Sequence, residues 1–498
     1  MITHDQSWCL KQAHSILESF PDEEHLILET GYGPSGRAHL GTLVENIRTM
    51  MVARALRAIT SKPITILCLA DDLDGMRKIP KNIENGDSLK PYIDWPLCCV
   101  PDPEGQHDSF GESNIATLQT MLDAWGLDNV TMIRASDRYK SGEYNQVLLN
   151  ILKNHQKVLD VMLPHLGEER RQTYSPFMPI CPKTKKVLTT GVLEYRESTI
   201  IYRNPLDEIV ETKVTDGACK LQWKVDLAMH WMWKSSKGRV VYEMYGKDLL
   251  SSIEMATQIC HALECKPPVT MMYEMFLNPD GARMSKSRGN SALTPQSWNE
   301  IAPAGSLEYF AFQTPMRAKR LDIMQLPTYV DQFINACNDD HPDLQYLNPN
   351  HLLKSDVTYD VLIELAIISR GSADIVAGML QRHKINNTPM NLIEQACNYA
   401  NTIVVRDFTP VTEEWVRSGM QELYQFLETL AETNMTPENI QPGCYEIGKK
   451  HSADLKLWFQ KLYNALFGTT NGPRLGTFFA YAGKEMSLNL INNALHRV

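Results

Sequence analysis

One segment restricts the architecture more than any other. Residues 25–30 form a short apolar run that enters the turn Gly31-Tyr32-Gly33-Pro34-Ser35-Gly36. A long helical pattern follows, with Leu40, Leu43, Val44, Ile47, Met50, Met51, Ala55 and Ile59 on one stripe and Arg48, Arg54 and Arg57 off it. Residues 63–70, rich in β-branched side chains and leucine, read as the next strand. Strand, helix, strand in this order predicts a right-handed βαβ crossover, the first half of a nucleotide-binding parallel sheet.

The remainder of the chain fits around that unit. Residues 79–211 have another texture: loop-rich at first, with Pro80, Pro91, Pro96, Pro101 and Pro103, and then mixed. They read as an insertion. Residues 239–245 and 269–277 look like further strands, separated by a helix near 249–263. From about Pro327 the pattern is helical to the end. The expected fold is therefore α/β: a Rossmann-type parallel-sheet catalytic domain with an insertion, followed by an all-α domain. Its expected parts are 1–78, the insertion 79–211, 212–326 and a helical domain 327–498. A chain of 498 residues, 43% hydrophobic, supports several domains.

Composition removes other classes. No apolar window of about 18 residues occurs, so a membrane span is not expected. The first twenty residues lack an apolar h-region, so no secretory leader is expected. Eleven cysteines without an even framework fit reduced thiols in a cytoplasm. A net charge of −10 argues against a general nucleic-acid coat and leaves room for a local basic face.

Two stretches carry chemistry. The first is Pro34-Ser35-Gly36-Arg37-Ala38-His39-Leu40-Gly41-Thr42. Gly31, Gly33 and Gly36 leave the backbone bare for a phosphate, and the helix start offers N–H groups and a positive dipole end. His39, expected in the first helical turn, points to the same place, and Gly41 lets an adenine ring lie flat against the helix. An ordinary glycine turn capped by Ser35 is the plainer alternative. The second stretch is Gly281-Ala282-Arg283-Met284-Ser285-Lys286-Ser287-Arg288-Gly289-Asn290. Lys286 is a mobile point charge suited to the β- and γ-phosphates of ATP, and Arg283, Arg288 and the serine hydroxyls add to it. A generic basic stretch would be a solvated loop; the run MSKS followed by RGN is more specific.

Together the two resemble the HIGH and KMSKS signatures of class I aminoacyl-tRNA synthetases, which flank one ATP site. Thr42 stands where the second histidine is usual, and Arg283 where the first lysine is usual. The runs Asp71-Asp72-Leu73-Asp74-Gly75-Met76-Arg77-Lys78-Ile79-Pro80, Tyr139-Lys140-Ser141-Gly142, Cys219-Lys220-Leu221-Gln222-Trp223-Lys224-Val225-Asp226, Gly246-Lys247-Asp248-Leu249 and Tyr273-Glu274 narrow the likeness. The set is similar to class I lysyl-tRNA synthetase, in the form found in alphaproteobacteria. It covers residues 26–322 closely and extends more weakly through Gly472-Pro473-Arg474-Leu475-Gly476 and Phe478. Leu227 and His230 depart from the family's expected pattern.

A lysine pocket needs carboxylates for the ammonium and rings for the stem. Asp71, Asp72, Asp74, Asp226 and Glu274 offer charge, and Trp223 and Tyr273 offer rings. The resemblance implies a lysine site of Gly31, Gly33, Trp223 and Tyr273, to which the charge argument adds Asp72, Asp74, Asp226 and Glu274. It implies ATP contacts from Pro34, Ser35, Gly36, His39, Gly41, Thr42, Arg283, Met284, Ser285, Lys286 and Ser287, with His39 and Lys286 catalytic. Mg²⁺ would accompany the ATP, and Arg370, Arg382 and Lys384 would face tRNA(Lys). Cys181-Pro182-Lys183-Thr184 lacks a second cysteine, so no metal ligand is expected. The competing expectations are a class I enzyme for another amino acid and a non-activating paralogue that binds RNA or lysine.

Overall fold

A computed structural model of the chain describes residues 7–80, 83, 86–235, 238–279, 281, 294–403, 408, 410–470 and 472–497. The chain divides into two compact units. The first comprises residues 1–295 and 311–321; the second comprises 296–310 and 322–498.

In the first unit, α1 (Trp8–Ser19) precedes β1 (Leu26–Tyr32), α2 (Leu40–Ile59) and β2 (Ile64–Ala70). Next come α3 (Phe110–Ala124), β3 (Val130–Arg134), α4 (Ala135–Lys140), α5 (Asn145–Lys153), α6 (His155–Met162) and α7 (Glu168–Thr173). Short strands follow: β4 (Phe177–Pro179), β5 (Val192–Tyr195), β6 (Thr199–Arg203), β7 (Ile209–Lys213) and β8 (Cys219–Leu221). Then α8 (Trp223–Met232), β9 (Lys234–Ser235), β10 (Gly238–Gly246), α9 (Leu250–Ala262), β11 (Val269–Tyr273) and β12 (Phe276–Leu277) return to the main sheet region, and β13 (Lys319–Arg320) pairs with β12.

The main sheet has the order β11-β10-β1-β2-β3, every neighbour in it parallel, with β9 antiparallel on β10. The strands β1, β2 and β3 are laid outward on one side. The chain then crosses back and adds β10 and β11 on the other. The order reverses between β1 and β10, and in such sheets the crevice beyond the carboxyl ends at the reversal holds ligands. The pairing of β1 with β2 runs in step from Leu26 opposite Ile64 to Tyr32 opposite Ala70, so both strands end level.

Helix α2 lies against this sheet because of its stripe. Leu40, Leu43, Val44, Ile47, Met50 and Met51 are all at most 1% exposed, each burial stabilising by about 1.5–3 kcal/mol. One residue departs from the periodic reading. Arg48 lies off the apolar stripe and is nevertheless buried, because its guanidinium stacks over the Tyr273 and Phe276 rings at 5.0 and 5.4 Å and its Nε donates to the Ala311 carbonyl.

Between β3 and β10 the chain leaves the parallel sheet. There β5, β6 and β7 form a separate antiparallel sheet, and β4 pairs antiparallel with β8.

Helices α10 (Pro295–Ile301) and α11 (Ala304–Phe312) fall at the division between the units. The second unit continues with α12 (Leu326–Asn338), α13 (Tyr359–Ile368), α14 (Ala373–Arg382), α15 (Met390–Thr402), α16 (Glu414–Thr429), α17 (Pro437–His451), α18 (Leu455–Phe467), α19 (Leu475–Ala482) and α20 (Lys484–Leu495). Glycine grooves set the packing here. A Cβ at Gly419 on α16 or at Gly448 on α17 would come within 2.6 or 2.5 Å of the fully buried Trp458 ring of α18. Only bare backbone admits that indole. No helix among the described residues is long and apolar enough to cross a membrane.

Candidate active site

The cleft at the reversal point is lined by the end of β1 (Gly31, Tyr32, Gly33), the start of α2 (His39, Gly41, Thr42, Glu45, Arg48) and the ends of β10 and β11 (Gly246, Tyr273). Asp248, Glu274 and Phe276 continue its wall.

His39 is the N-cap of α2 rather than a member of its first turn, and its ring Nδ1 accepts the Thr42 backbone N–H at 3.2 Å. A backbone amide always donates, so in the neutral ring the proton resides on Nε2. The ring therefore presents an N–H donor in addition to the N–H groups of the helix start. Gly41 has a local reason here. A Cβ at that position would stand 2.8 Å from the His39 Cε1, so the glycine keeps room for the folded-back imidazole. A Cβ at Gly31 or Gly33 would meet nothing within 4 Å and would project into open space. The loop before the helix is pinned: the Tyr32 hydroxyl donates to the Gly36 carbonyl at 2.7 Å, and Asn114 Nδ2 donates to the Pro34 carbonyl at 3.1 Å. Pro34, Ser35 and Gly36 thus shape the turn without lining the cleft, and Ser35 does not cap the helix.

Across the cleft, the Tyr273 hydroxyl donates to Glu45 Oε2, while Glu45 Oε1 accepts the Gly31 N–H at 3.4 Å. Burial, and then the Glu45 charge, push the Tyr273 phenol well above its usual range, so it remains a donor. Burial pulls the Arg48 guanidinium down to about 10, with Tyr273 and Glu45 opposing, so Arg48 stays charged at neutral pH. Glu274 is paired with Lys247 at 2.5 Å, and its N–H donates to the Pro315 carbonyl. The cleft offers an imidazole at the start of α2 and, farther along the same helix, an acid that meets a phenol from β11. That arrangement suits an ammonium and a phosphate in one ligand set.

The residues expected in the lysine site divide. Gly31, Gly33, Tyr273 and Glu274 line the cleft; Asp72, Asp74, Trp223 and Asp226 do not. Asp72 is buried and accepts from both the Ser136 N–H at 2.8 Å and its hydroxyl at 2.6 Å, fastening the start of α4. Asp226 is fully buried against Lys220 Nζ at 2.6 Å, and the Tyr139 hydroxyl donates to its other oxygen at 2.5 Å. Asp71 lies 2.7 Å and Asp74 3.2 Å from the same ammonium. The physical reason is a counter-ion: the sequence shows the acids but not that Lys220 satisfies three of them. Trp223 opens α8, is 41% exposed, and donates its indole N–H to Ser252 Oγ at 3.2 Å.

Sequence reasoning missed Glu45 and Arg48, both on the helix it had identified; the glycine turn and Tyr273 were the signals on either side of them. Arg283, Met284, Ser285, Lys286 and Ser287 lie outside the described residues. In the second unit, Arg370 follows α13, Arg382 ends α14 and Lys384 follows it; all three are exposed.

Comparison with known proteins bears on this site. The family described as "tRNA synthetases class I (K)" matches residues 6–349. A "Lysine--tRNA ligase" of Rickettsia bellii (strain OSU 85-389) is 36% identical and covers 98% of both chains. Its counterpart in Rickettsia typhi (strain ATCC VR-144 / Wilmington) is 35% identical, covering 99% of this chain and 98% of its own. A solved glutamate tRNA ligase from Elizabethkingia meningosepticum, in complex with its amino acid, covers 94% of this chain and 99% of its own. It has 11% identity and a TM-score of 0.38, too distant to inform the site. With the family matched over more than half its length and the relatives over nearly all of it, the chain belongs to the class I (K) tRNA synthetases.

Proposed function

We propose that the chain is a lysine–tRNA ligase working in the cytoplasm. It activates L-lysine with ATP to lysyl-adenylate and transfers the lysyl group to the terminal adenosine of tRNA(Lys). The observation that carries the reading is the pairing, in one cleft, of the Glu45–Tyr273 acid site with the His39-capped start of α2.

In this reading Glu45 and Tyr273 take the lysine side-chain ammonium, with Asp248 and Glu274 adding negative field. Gly31 and Gly33 give the space for the substrate's backbone end. The lysine carboxylate oxygen attacks the α-phosphorus of ATP. The bond from that phosphorus to the bridging oxygen breaks, and pyrophosphate leaves with the electron pair. His39 Nε2–H and the N–H groups at the start of α2 stabilise the α-phosphoryl oxygens. Arg283, Ser285, Lys286 and Ser287 hold the leaving pyrophosphate, and Mg²⁺ enters with ATP as part of the substrate. Catalysis is by position and electrostatics, without a covalent enzyme intermediate. The 2′-hydroxyl of the terminal adenosine then attacks the lysyl carbonyl and AMP leaves. We assign residues 79–211 to the acceptor end of the tRNA and 327–498 to its anticodon, with Arg370, Arg382 and Lys384 on the phosphates. Such contacts weaken steeply with salt.

Charging of tRNA with labelled lysine tests the reading. Purified chain should acylate a tRNA pool with lysine. Lys286→Ala should lower the rate of adenylate formation by about 100-fold, with lysine affinity changed by less than about threefold. Absence of charging by the wild type contradicts the function. An equal fall in rate and lysine affinity contradicts the role of Lys286.

A further inference from the structure

Beside the cleft lies a second acidic site that is already filled. Lys220 Nζ, on β8, is fully buried and held by Asp71 at 2.7 and 3.0 Å, Asp226 at 2.6 Å and Asp74 at 3.2 Å. Burial works against the ammonium, but Asp226, Asp71 and Asp74 together hold it well above its ordinary range. One ammonium serves three carboxylates.

The cluster touches one wall of the cleft directly and is linked to the other through α8 and α9. The Asp71 N–H donates to the carbonyl of Tyr32, the last residue of β1 and part of the cleft wall. Asp226 lies in the first turn of α8, which opens with Trp223. The Trp223 indole reaches Ser252 of α9, and α9 starts directly after the wall residues Asp248 and Leu249. Tyr139 ties in α4, donating to Asp226 and accepting the Leu221 N–H at 3.3 Å. A buried ion cluster adds little stability that apolar packing would not match, but it fixes geometry.

We propose that Lys220 is a positioning residue for the amino-acid pocket: its ammonium occupies the cage of Asp71, Asp74 and Asp226 and thereby holds the end of β1 and the first turn of α8 in register. The cage is an ammonium site by its chemistry, closed to substrate because the chain fills it. The assignment to lysine binding rests on the ligase reading above.

The test uses Lys220→Ala, which removes the ammonium and leaves the three acids around an alkylammonium-shaped space. Lysine and ATP binding are each measured by titration calorimetry, with n-propylammonium chloride or an equal concentration of sodium chloride. Lysine affinity should fall about tenfold or more and ATP affinity by less than about threefold, and the amine but not sodium should restore the first. The amine should also raise the melting temperature of the variant, as any ligand of the folded state does. Three outcomes overturn the proposal: lysine affinity kept in folded Lys220→Ala, an equal loss for lysine and ATP, or a loss the amine does not mend. Should Lys220→Ala fail to fold, Asp74→Asn, which spares the two shorter contacts, is expected to weaken lysine binding about threefold; no change overturns the proposal. A wild type that binds no lysine defeats the ligase reading instead. The cage is then decided by the amine-specific melting shift of Lys220→Ala: a rise supports it and no rise overturns it.

Discussion

Glu45 and Asp226 are chemically alike, and their surroundings differ. Asp226 is enclosed: burial would raise its carboxyl, but Lys220 and His230 hold it below the usual range, so its charge is spent inside the protein. Glu45 lines the cleft, accepting from the Tyr273 phenol and the Gly31 amide, and its charge also supports the buried Arg48 guanidinium. Glu45→Gln keeps the size and an acceptor while deleting the charge. The expected result is a loss of about 1.5–3 kcal/mol of lysine binding, roughly 10- to 100-fold in KM, with kcat for adenylate formation changed much less. Steady-state exchange kinetics measure both; an unchanged KM removes Glu45 from the ammonium site. Residue types alone do not separate these two acids. Asp226 stood in a run of suggestive residues and Glu45 in a plain helical stretch, and only the sheet order brings Tyr273 across from the latter.

At the scale of elements, the βαβ unit was the most legible part of the chain. Its strands were expected at 25–30 and 63–70 and occur at Leu26–Tyr32 and Ile64–Ala70, and its helix spans the whole Leu40–Ile59 stripe. Buried parallel strands are continuous apolar runs, and a helix packed on them must show its period, so both write themselves into sequence. The short strands β5, β6 and β7 do not. No side chain of β5 or β7 is fully buried, with Glu194, Ile209 and Glu211 exposed, and β6 buries a face of only two residues, Ile200 and Tyr202. The start of α2 yields a test in which stability and activity should part. Gly41→Ala improves helix propensity by up to about 1 kcal/mol, yet places a Cβ where the His39 ring folds back. The melting temperature should hold or rise while adenylate formation falls by about 100-fold. Full activity with an intact fold would show that the His39 position does not matter.

For the whole molecule, the parallel sheet brings distant stretches to one place. Residues near 31, 45, 246 and 273 meet because the chain reverses its strand order between β1 and β10. The sequence reading named the strands and the two signature stretches, and from them the class of chemistry. It does not order the strands, and so it does not separate Glu45 and Tyr273, which line the cleft at the reversal, from Asp71, Asp74 and Asp226, which gather on Lys220. The separation of the Glu45 acid, which lines the cleft, from the three acids gathered on Lys220 is a property of the assembled sheet domain. The central claim is that this assembly activates lysine. ATP–pyrophosphate exchange, measured with each of the twenty amino acids in turn, tests it most directly. Exchange should occur with lysine and exceed that with any other amino acid by at least about 100-fold, as a site built around a charged group permits. Exchange with none of them, or a preference for glutamate or arginine, would contradict the account.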